Sequence, residues 1–317
     1  MDQVARTPQL ADSVQALVEA ATRADGVAPL SEDTLLHVRS VSRGRVPDGT
    51  SPGTGADAPR QFLLSSGEGT VVGYAHLDPA EEGASGDDLS GELVIHPDQR
   101  RQGYGSALLC HLISRSAGRG LRVWAHGDLP AAAALARSWH MDRVRALWQM
   151  RMPTSVAPEE AGVMPVGVTL RTFRPGFDEA SWLAVNRRAF AHHPEQGRWA
   201  MDDLLLREAE PWFDPAGFFL AERDGRLAGF HWTKVHADGG ADGGPIGEVY
   251  VVGVDPDQQG GGLGRALTMA GLAHLRSLGL AEIMLYVDED NTAAVKLYTA
   301  LGFTPRSIDA MYRASGA

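Results

Sequence analysis

The chain has 317 residues, enough for about two domains at roughly 150 residues each. Its formal net charge of −11 excludes the basic footprint that nucleic-acid binders carry. A single cysteine, Cys110, excludes an intrachain disulfide and a cysteine-built zinc site, and no run of about 18 apolar residues is present to span a membrane.

The opening segment, MDQVARTPQLADSVQALVEA, lacks the basic and apolar regions of a signal peptide, so the expected location is the cytoplasm. Residues 92–109, ELVIHPDQRRQGYGSALL, read as a short strand, a Pro-Asp turn, a glycine-rich loop and a helix. Cys110 follows in ALLCHLI, among apolar neighbours, and is expected to pack in a core. The stretch from Pro153 to Gly167 is rich in proline, glycine and small residues and reads as a linker. His192 and His193 are adjacent, so on a helix they point apart, and no metal site is expected from them.

Phe218–Glu222 and Arg226–Ala237 read as a hairpin closed by Asp224-Gly225, and Ala237–Gly244 as a loop. Glu248–Val254 is the next strand and Gly264–Leu278 has helical spacing. AEIMLYVDED is a strand, NTAAVKLYTALGF a helix ending at Gly302, and RSIDAMYR a last strand. Residues 248–267, EVYVVGVDPDQQGGGLGRAL, repeat the earlier block, with Pro97 falling on Pro256 at a spacing of 159 residues. Two tandem domains follow, at 1–152 and 168–317, with 153–167 between them. Strands mixed with helices around one sheet make each α+β.

The two glycine loops carry the chemistry. A strand delivers the chain to a helix N-terminus, where unpaired N–H groups and the positive end of the dipole face outward. Glycines remove the Cβ atoms that would hold a pyrophosphate away from the backbone. Neither loop has the G-K-S/T of a nucleotide-binding P-loop, and the spacing is not the G-x-G-x-x-G of a dinucleotide fold. A glycine-rich turn with no ligand is the remaining alternative, and two copies in one context argue against it.

Glu248 begins a strand next to such a loop and reads either as a general base or as a strand-end surface carboxylate. The first half has no equivalent: at the 159-residue spacing Glu248 falls on Leu89, and Glu92 lies three positions along, on the other face of a regular strand.

Both halves resemble the GCN5-related N-acetyltransferase (GNAT) family, with its Q/R-x-x-G-x-G/A loop and an N-x-x-A-x-x-x-Y segment, here Asn291–Tyr298. The resemblance implies two tandem GNAT domains, each a mixed, mostly antiparallel sheet flanked by helices, using acetyl-CoA. In the second half it assigns the cofactor to Val252, Gly253 and Val254, to the loop Gln259, Gly260, Gly261, Gly262, Leu263, Gly264 and Arg265, and to Asn291, Thr292, Ala293, Ala294, Val295 and Lys296. In the first half the equivalents are Leu93, Val94, Ile95, Arg101, Gln102, Gly103, Tyr104, Gly105 and Ser106. Tyr298 is implied as the acid that protonates the coenzyme A thiolate, or else it is a packing tyrosine. Aligning SWHMDRVRALWQMR on ALGFTPRSIDAMYR, at a spacing of 162 residues, places it on Ala136 in the first half, which is expected to be non-catalytic.

GVAPLSE, VWAHG, NRRAFAHHPEQGRW, WFDP and GFHWTKVH carry the resemblance further, to the mycothiol synthases, over nearly the whole chain. That family acetylates the cysteinyl amine of cysteinyl-glucosaminyl-inositol, a thiol-containing pseudodisaccharide. It implies substrate contacts from Glu32, Glu195, Lys234, Glu248 and Tyr286, and no metal, nucleic acid or membrane partner; a monomer is expected. The long ADGGADGG loop departs from the family pattern. Two rivals share the cofactor features: a GNAT enzyme for another amine, small or peptidic, and a non-catalytic acetyl-CoA sensor, which would need neither Glu248 nor Tyr298.

Overall fold

The computed structural model describes residues 2–3, 8–42, 60–67, 70–78, 88–116, 118–158, 162–191, 193, 196–237, 239 and 243–314. The chain runs β1 (Asp2–Gln3), α1 (Pro8–Asp25), α2 (Glu32–Ser42), β2 (Arg60–Ser65), β3 (Val71–Leu77), β4 (Leu89–Ile95), α3 (Tyr104–Arg115), β5 (Leu121–Ala125), α4 (Pro130–Ser138) and β6 (Asp142–Pro153). It continues β7 (Val168–Thr172), α5 (Glu179–Ala189), α6 (Met201–Glu208), β8 (Phe218–Arg223), β9 (Arg226–His236), β10 (Ile246–Val254), α7 (Leu263–Ser277), β11 (Glu282–Asp288), α8 (Thr292–Ala300) and β12 (Thr304–Ala314). These divide into two compact units, Met1–Leu147 with Ser307–Ala317, and Trp148–Arg306.

The sheet of the first unit runs β1-β2-β3-β4-β5-β12 and is antiparallel except for the β4–β5 pair. Its α1 and α2 cover one face, with Val14, Leu17 and Val18 packed on Tyr74 and Val94. On the other face Leu108, Leu109 and Leu112 of α3 meet Leu89, Ala310 and Tyr312. Cys110 is exposed, which corrects the core position expected from its neighbours. At about 100° per residue, a helix that buries 108, 109 and 112 turns 110 to solvent.

The last strand of the chain closes this first sheet. β12 pairs with β5 from Ala310–Ala125 to Ala314–Leu121. Arg313 fastens it to the buried Asp88, with Nε donating to Oδ2 at 2.6 Å, and Arg122 donates to the same oxygen at 3.1 Å. Arg313 and Arg122 together hold the Asp88 carboxyl below the usual carboxylate range against the cost of burial.

The sheet of the second unit runs β6-β11-β10-β9-β8-β7, with β10–β11 parallel and the β7–β8, β8–β9 and β9–β10 pairs antiparallel. Its hairpin turn is Asp224-Gly225, with φ of 51° and 71°, the left-handed pair that matches strand twist. An aromatic cluster fills the α5 face: Trp182 and Trp232 are fully buried, and Phe218 stacks on Trp232 at 4.5 Å. On the opposite face α7 lies so close to β9 that a Cβ on Gly271 would come within 2.0 Å of the His231 ring. His231 donates from Nδ1 to the Leu267 carbonyl at 2.7 Å, and burial pushes its pKa down to about 4, so it is neutral. Among the described residues no helix is long and apolar enough to cross a membrane.

Candidate active site

The centre of the second unit is β10. Its parallel register with β11 spans Gly247–Ile283, Glu248–Met284 and Val249–Leu285 and ends there, although both strands continue. Tyr250 to Val254 therefore have no register with β11, leaving main-chain groups beside the gap to hydrogen-bond an extended ligand. The first unit repeats this: the β4–β5 register ends at Gly91–Val123, ahead of Leu93, Val94 and Ile95.

On its other side β10 carries a bulge between Val249 and Val251, where the register to β9 shifts. The bulge explains the faces. Val249 packs in the cluster with Leu272 and Leu275 of α7, whereas Val251, two residues on, packs with Trp182 of α5. Glu248, opposite Lys234 in register, shares the α5 face.

β4 has no such shift against β3. Counted along the ladders, Glu248 is the counterpart of Ser90 and not of Leu89. Glu92 matches Val251 and turns to the face of the first helix pair, where Ser31, just before α2, donates from its backbone N–H to both carboxylate oxygens at 3.1 and 3.0 Å. The opposite face expected for Glu92 is thereby corrected, because the extra residue of the bulge reverses the alternation.

Glu248 is 6% exposed and Lys234 likewise 6%. The Lys234 ammonium lies over the Trp212 ring at 4.3 Å and the Tyr250 ring at 5.1 Å, two cation–π contacts that replace water around the charge. Arg207 of α6 braces this box, donating from Nε to the Tyr250 hydroxyl at 2.9 Å and lying 3.8 Å from the Trp199 ring centroid. His236 Nε2 lies 2.6 Å from Glu248 Oε2. Tyr286, on β11, is partly exposed, and its hydroxyl accepts from Gln149 at 2.9 Å.

Tyr298 is on the opposite face. It packs with Val249, Leu285 and Phe303, the last edge-on at 5.8 Å, and burial pushes its phenol up to about 12. The carboxylate and the phenol thus flank the strand pair whose ladder opens after Val249.

Both glycine loops sit at the far end of the opened strand with matching geometry. His96 and Asp255 cap the turns at φ −52° with ψ 131° and 132°, and Arg100 and Gln259 both have φ −72° and ψ 164°. Gly103 and Gly262 are left-handed N-caps at φ 85° and 80°, and neither helix has a side-chain cap. The N–H groups of the first turn therefore face the loop, and a Cβ on Gly260, Gly261 or Gly262 would meet open space. That cradle fits a pyrophosphate.

Leu263 is buried, so of that stretch it can offer only backbone. In the first unit Arg101 occupies, at φ 65°, the left-handed position taken by Gly260 at 89°. Asn291 caps α8, accepting from the Ala294 N–H at 3.2 Å, and Thr292, Ala293 and Lys296 are exposed while Ala294 and Val295 are half-buried.

Glu32 is the first residue of α2 in the first unit; Lys234, Glu248, Tyr286 and Tyr298 belong to the second. Glu195 lies outside the described residues. The sequence reading passed over His236, Trp212, Tyr250 and Arg207. For His236 the signal was present, since it alternates with Lys234 on one strand face; the aromatic box needed the bulge, which has no sequence mark.

An aspartate at position 262, among the side chains that enter the left-handed region most readily, adds local backbone strain at φ 80° and brings a negative charge to the cradle. Gly262→Asp is expected to weaken acetyl-CoA binding at least roughly tenfold with the fold intact, measured by isothermal titration; unchanged affinity would remove the loop from the site.

The acetyltransferase (GNAT) family model matches residues 39–139 and 182–303. A mycothiol acetyltransferase of Thermobispora bispora is 55% identical over 311 residues, covering 98% of this chain and 98% of the relative. One of Thermomonospora curvata is 58% identical over 306 residues, covering 96% and 94%. Among solved structures, a tandem GNAT protein from the clavulanic acid biosynthesis pathway matches with a TM-score of 0.67 at 19% identity over 98% of this chain and 95% of that one. A GCN5-related N-acetyltransferase from Sphaerobacter thermophilus matches with a TM-score of 0.65 at 23% identity over 99% and 95%. At those identities the structural likeness shows the fold.

Proposed function

The chain belongs to the GNAT acetyltransferase family and, within it, to the mycothiol acetyltransferases, and from that premise we propose how its residues divide the work of acetylating the cysteinyl amine of cysteinyl-glucosaminyl-inositol. The observation that carries the assignment is the position of Glu248. It is a buried carboxylate beside the opened end of the β10–β11 ladder, on the strand that leads into an open glycine cradle.

Acetyl-CoA, bound with its pyrophosphate at Gln259–Arg265 and its arm along Val252–Val254, supplies the activated acetyl group. Every other task falls to side chains. An α-amino group has a reference pKa near 7.7–8.0, so a modest base is sufficient at neutral pH. Glu248 takes the amine proton, directly or through one water. Lys234, fixed over Trp212 and Tyr250, disfavours the ammonium form next to it and donates to a substrate hydroxyl or carbonyl. Backbone N–H groups near Val252 serve the oxyanion.

Tyr298 is assigned to the departing sulfur. Burial pushes its phenol up to about 12, so it keeps its proton in the resting site and gives it up less readily than an ordinary tyrosine. Its contribution is therefore a hydrogen bond to the developing thiolate. Glu32, Glu195 and Tyr286 are assigned to substrate hydroxyls, and the first unit, lacking counterparts of Glu248 and Tyr298, to a non-catalytic role.

The test is incubation of the protein with acetyl-CoA and cysteinyl-glucosaminyl-inositol, followed by mass spectrometry. Product is expected from the wild type. Tyr298→Phe is expected to lower kcat roughly 100-fold with acetyl-CoA affinity within about twofold. Unchanged kcat would return Tyr298 to packing, and no product from the wild type would move the assignment to another amine.

A further inference from the structure

We propose that His236 is a positioning residue for deprotonation of the amine. By donating its Nε2–H to Oε2 of Glu248 at 2.6 Å, it leaves Oε1 as the oxygen that takes the proton. The inference deepens, and rests on, the reading of Glu248 as the base.

A carboxylate accepts and cannot donate, so the short contact carries the imidazole's proton. The terminal torsion of a glutamate is broad, and without a partner its two oxygens would exchange freely. The bond removes that freedom. Register explains how His236 reaches: Glu248 is opposite Lys234, and His236 is the next residue of β9 on the same face, within reach as a diagonal neighbour. The bulge at Tyr250 is what brings Glu248 to that face. Lys234 and His236 thus approach the carboxylate from one strand, while on the β11 side its register partner is the uncharged Met284.

The other tightly held histidines of the unit have different work. His231 is fastened to the Leu267 carbonyl in the core, and His193 faces Asp288 at 3.6 Å. The His236 side chain is about a quarter exposed and the Glu248 side chain 7%. His236 therefore stands between the buried base and solvent and shields Oε2 from water.

In the step itself one N–H bond of the ammonium breaks and one O–H bond forms on Glu248 Oε1. The His236 proton stays on Nε2, and the amine becomes neutral. Glu248 then loses its proton to solvent before the next turnover.

The test compares H236F, which removes the donor, with H236Q, whose amide N–H can reach the same oxygen. With acetyl-CoA and cysteinyl-glucosaminyl-inositol, H236F is expected to lower kcat roughly 10- to 100-fold, with KM for both substrates within about twofold, and H236Q to recover most of it. A second readout needs no substrate. The Glu248 carboxylate band, taken as the infrared difference between each protein and its E248Q counterpart, is expected to shift in H236F and return in H236Q.

H236F at wild-type turnover with an unshifted band would overturn the proposal, as would H236Q as slow as H236F. A wild type that makes no product counts against the amine acceptor, and the infrared comparison then decides His236 alone. Where H236F does not fold, H236N, with the same amide on a shorter arm, replaces it with the same expected losses.

Discussion

Glu248→Gln is expected to lower turnover by roughly 100- to 10,000-fold, the range for removal of a general base. The substitution keeps the shape and a hydrogen-bonding oxygen but loses the basic one, so acetyl-CoA affinity and fold should be unchanged. Because the amine titrates near its working pH, the loss should shrink as pH rises and more amine arrives already neutral. Stopped-time assays from pH 6 to 9.5 would follow the ratio of wild-type to variant rates, expected to fall by about tenfold or more across about two units. A constant ratio would make Glu248 a clamp for the substrate. A raised KM with unchanged kcat would say the same.

The second large effect concerns the first unit and its last strand. His126 is held between two carboxylates, Nε2 at 3.0 Å from Glu92 and Nδ1 at 3.0 Å from Asp309, and Asp309 also accepts from the Gly127 N–H at 2.8 Å. Burial opposes the charged form of His126, but Asp309 and Glu92 outweigh it and push the pKa up to about 10. For Glu92 burial likewise works against ionisation, and His126 with the Ser31 N–H outweighs it, so its pKa is lowered.

Asp309→Ala leaves a buried imidazolium with one partner removed and is expected to cost about 3–5 kcal/mol. The readout is hydrogen exchange of β4 and β5 peptides, which should speed up while those of β8 and β9 do not. The sign with pH follows from the raised value. The His126 contribution is fully present below the ordinary histidine value near 6.5 and is lost as pH climbs through about 10. Protection of β4 and β5 in the wild type should therefore fall progressively between about pH 6.5 and about pH 10, level off above that, and be less pH-dependent in Asp309→Ala. Equal exchange in the two proteins would show that the cluster holds nothing.

The order of strands and helices from Phe218 onward was legible because that stretch is locally consistent. The Asp224-Gly225 turn, Asn291 at the start of α8 and Gly302 at φ 99° past its end all do what their residue types favour. The bulge at Tyr250 was not legible. EVYVVGV alternates no differently from an unbulged strand, and the extra residue shows only as a register shift against β9. That one residue decided which side Glu248 faces, and so that it shares the side of Glu92 in the unbulged β4, and an offset taken from the glycine loops failed beyond it.

Cys110 was misplaced for a simpler reason: apolar neighbours in sequence are not neighbours around a helix. The Glu92–His126–Asp309 cluster joins residues far apart in the chain, and no local pattern announces it. The place of β12 beside β5 had a faint mark, the similarity of 138–151 to 300–313, which identifies equivalent strands but not which sheet each joins.

The most direct measurement is acetylation of cysteinyl-glucosaminyl-inositol by three proteins, the wild type, Gly262→Asp and Gly103→Asp, followed by mass spectrometry. The chemistry assigned to the second unit predicts product from the wild type and from Gly103→Asp, and a loss of product in Gly262→Asp at limiting acetyl-CoA. Product retained in Gly262→Asp and lost in Gly103→Asp would place the reaction in the first unit and contradict the account.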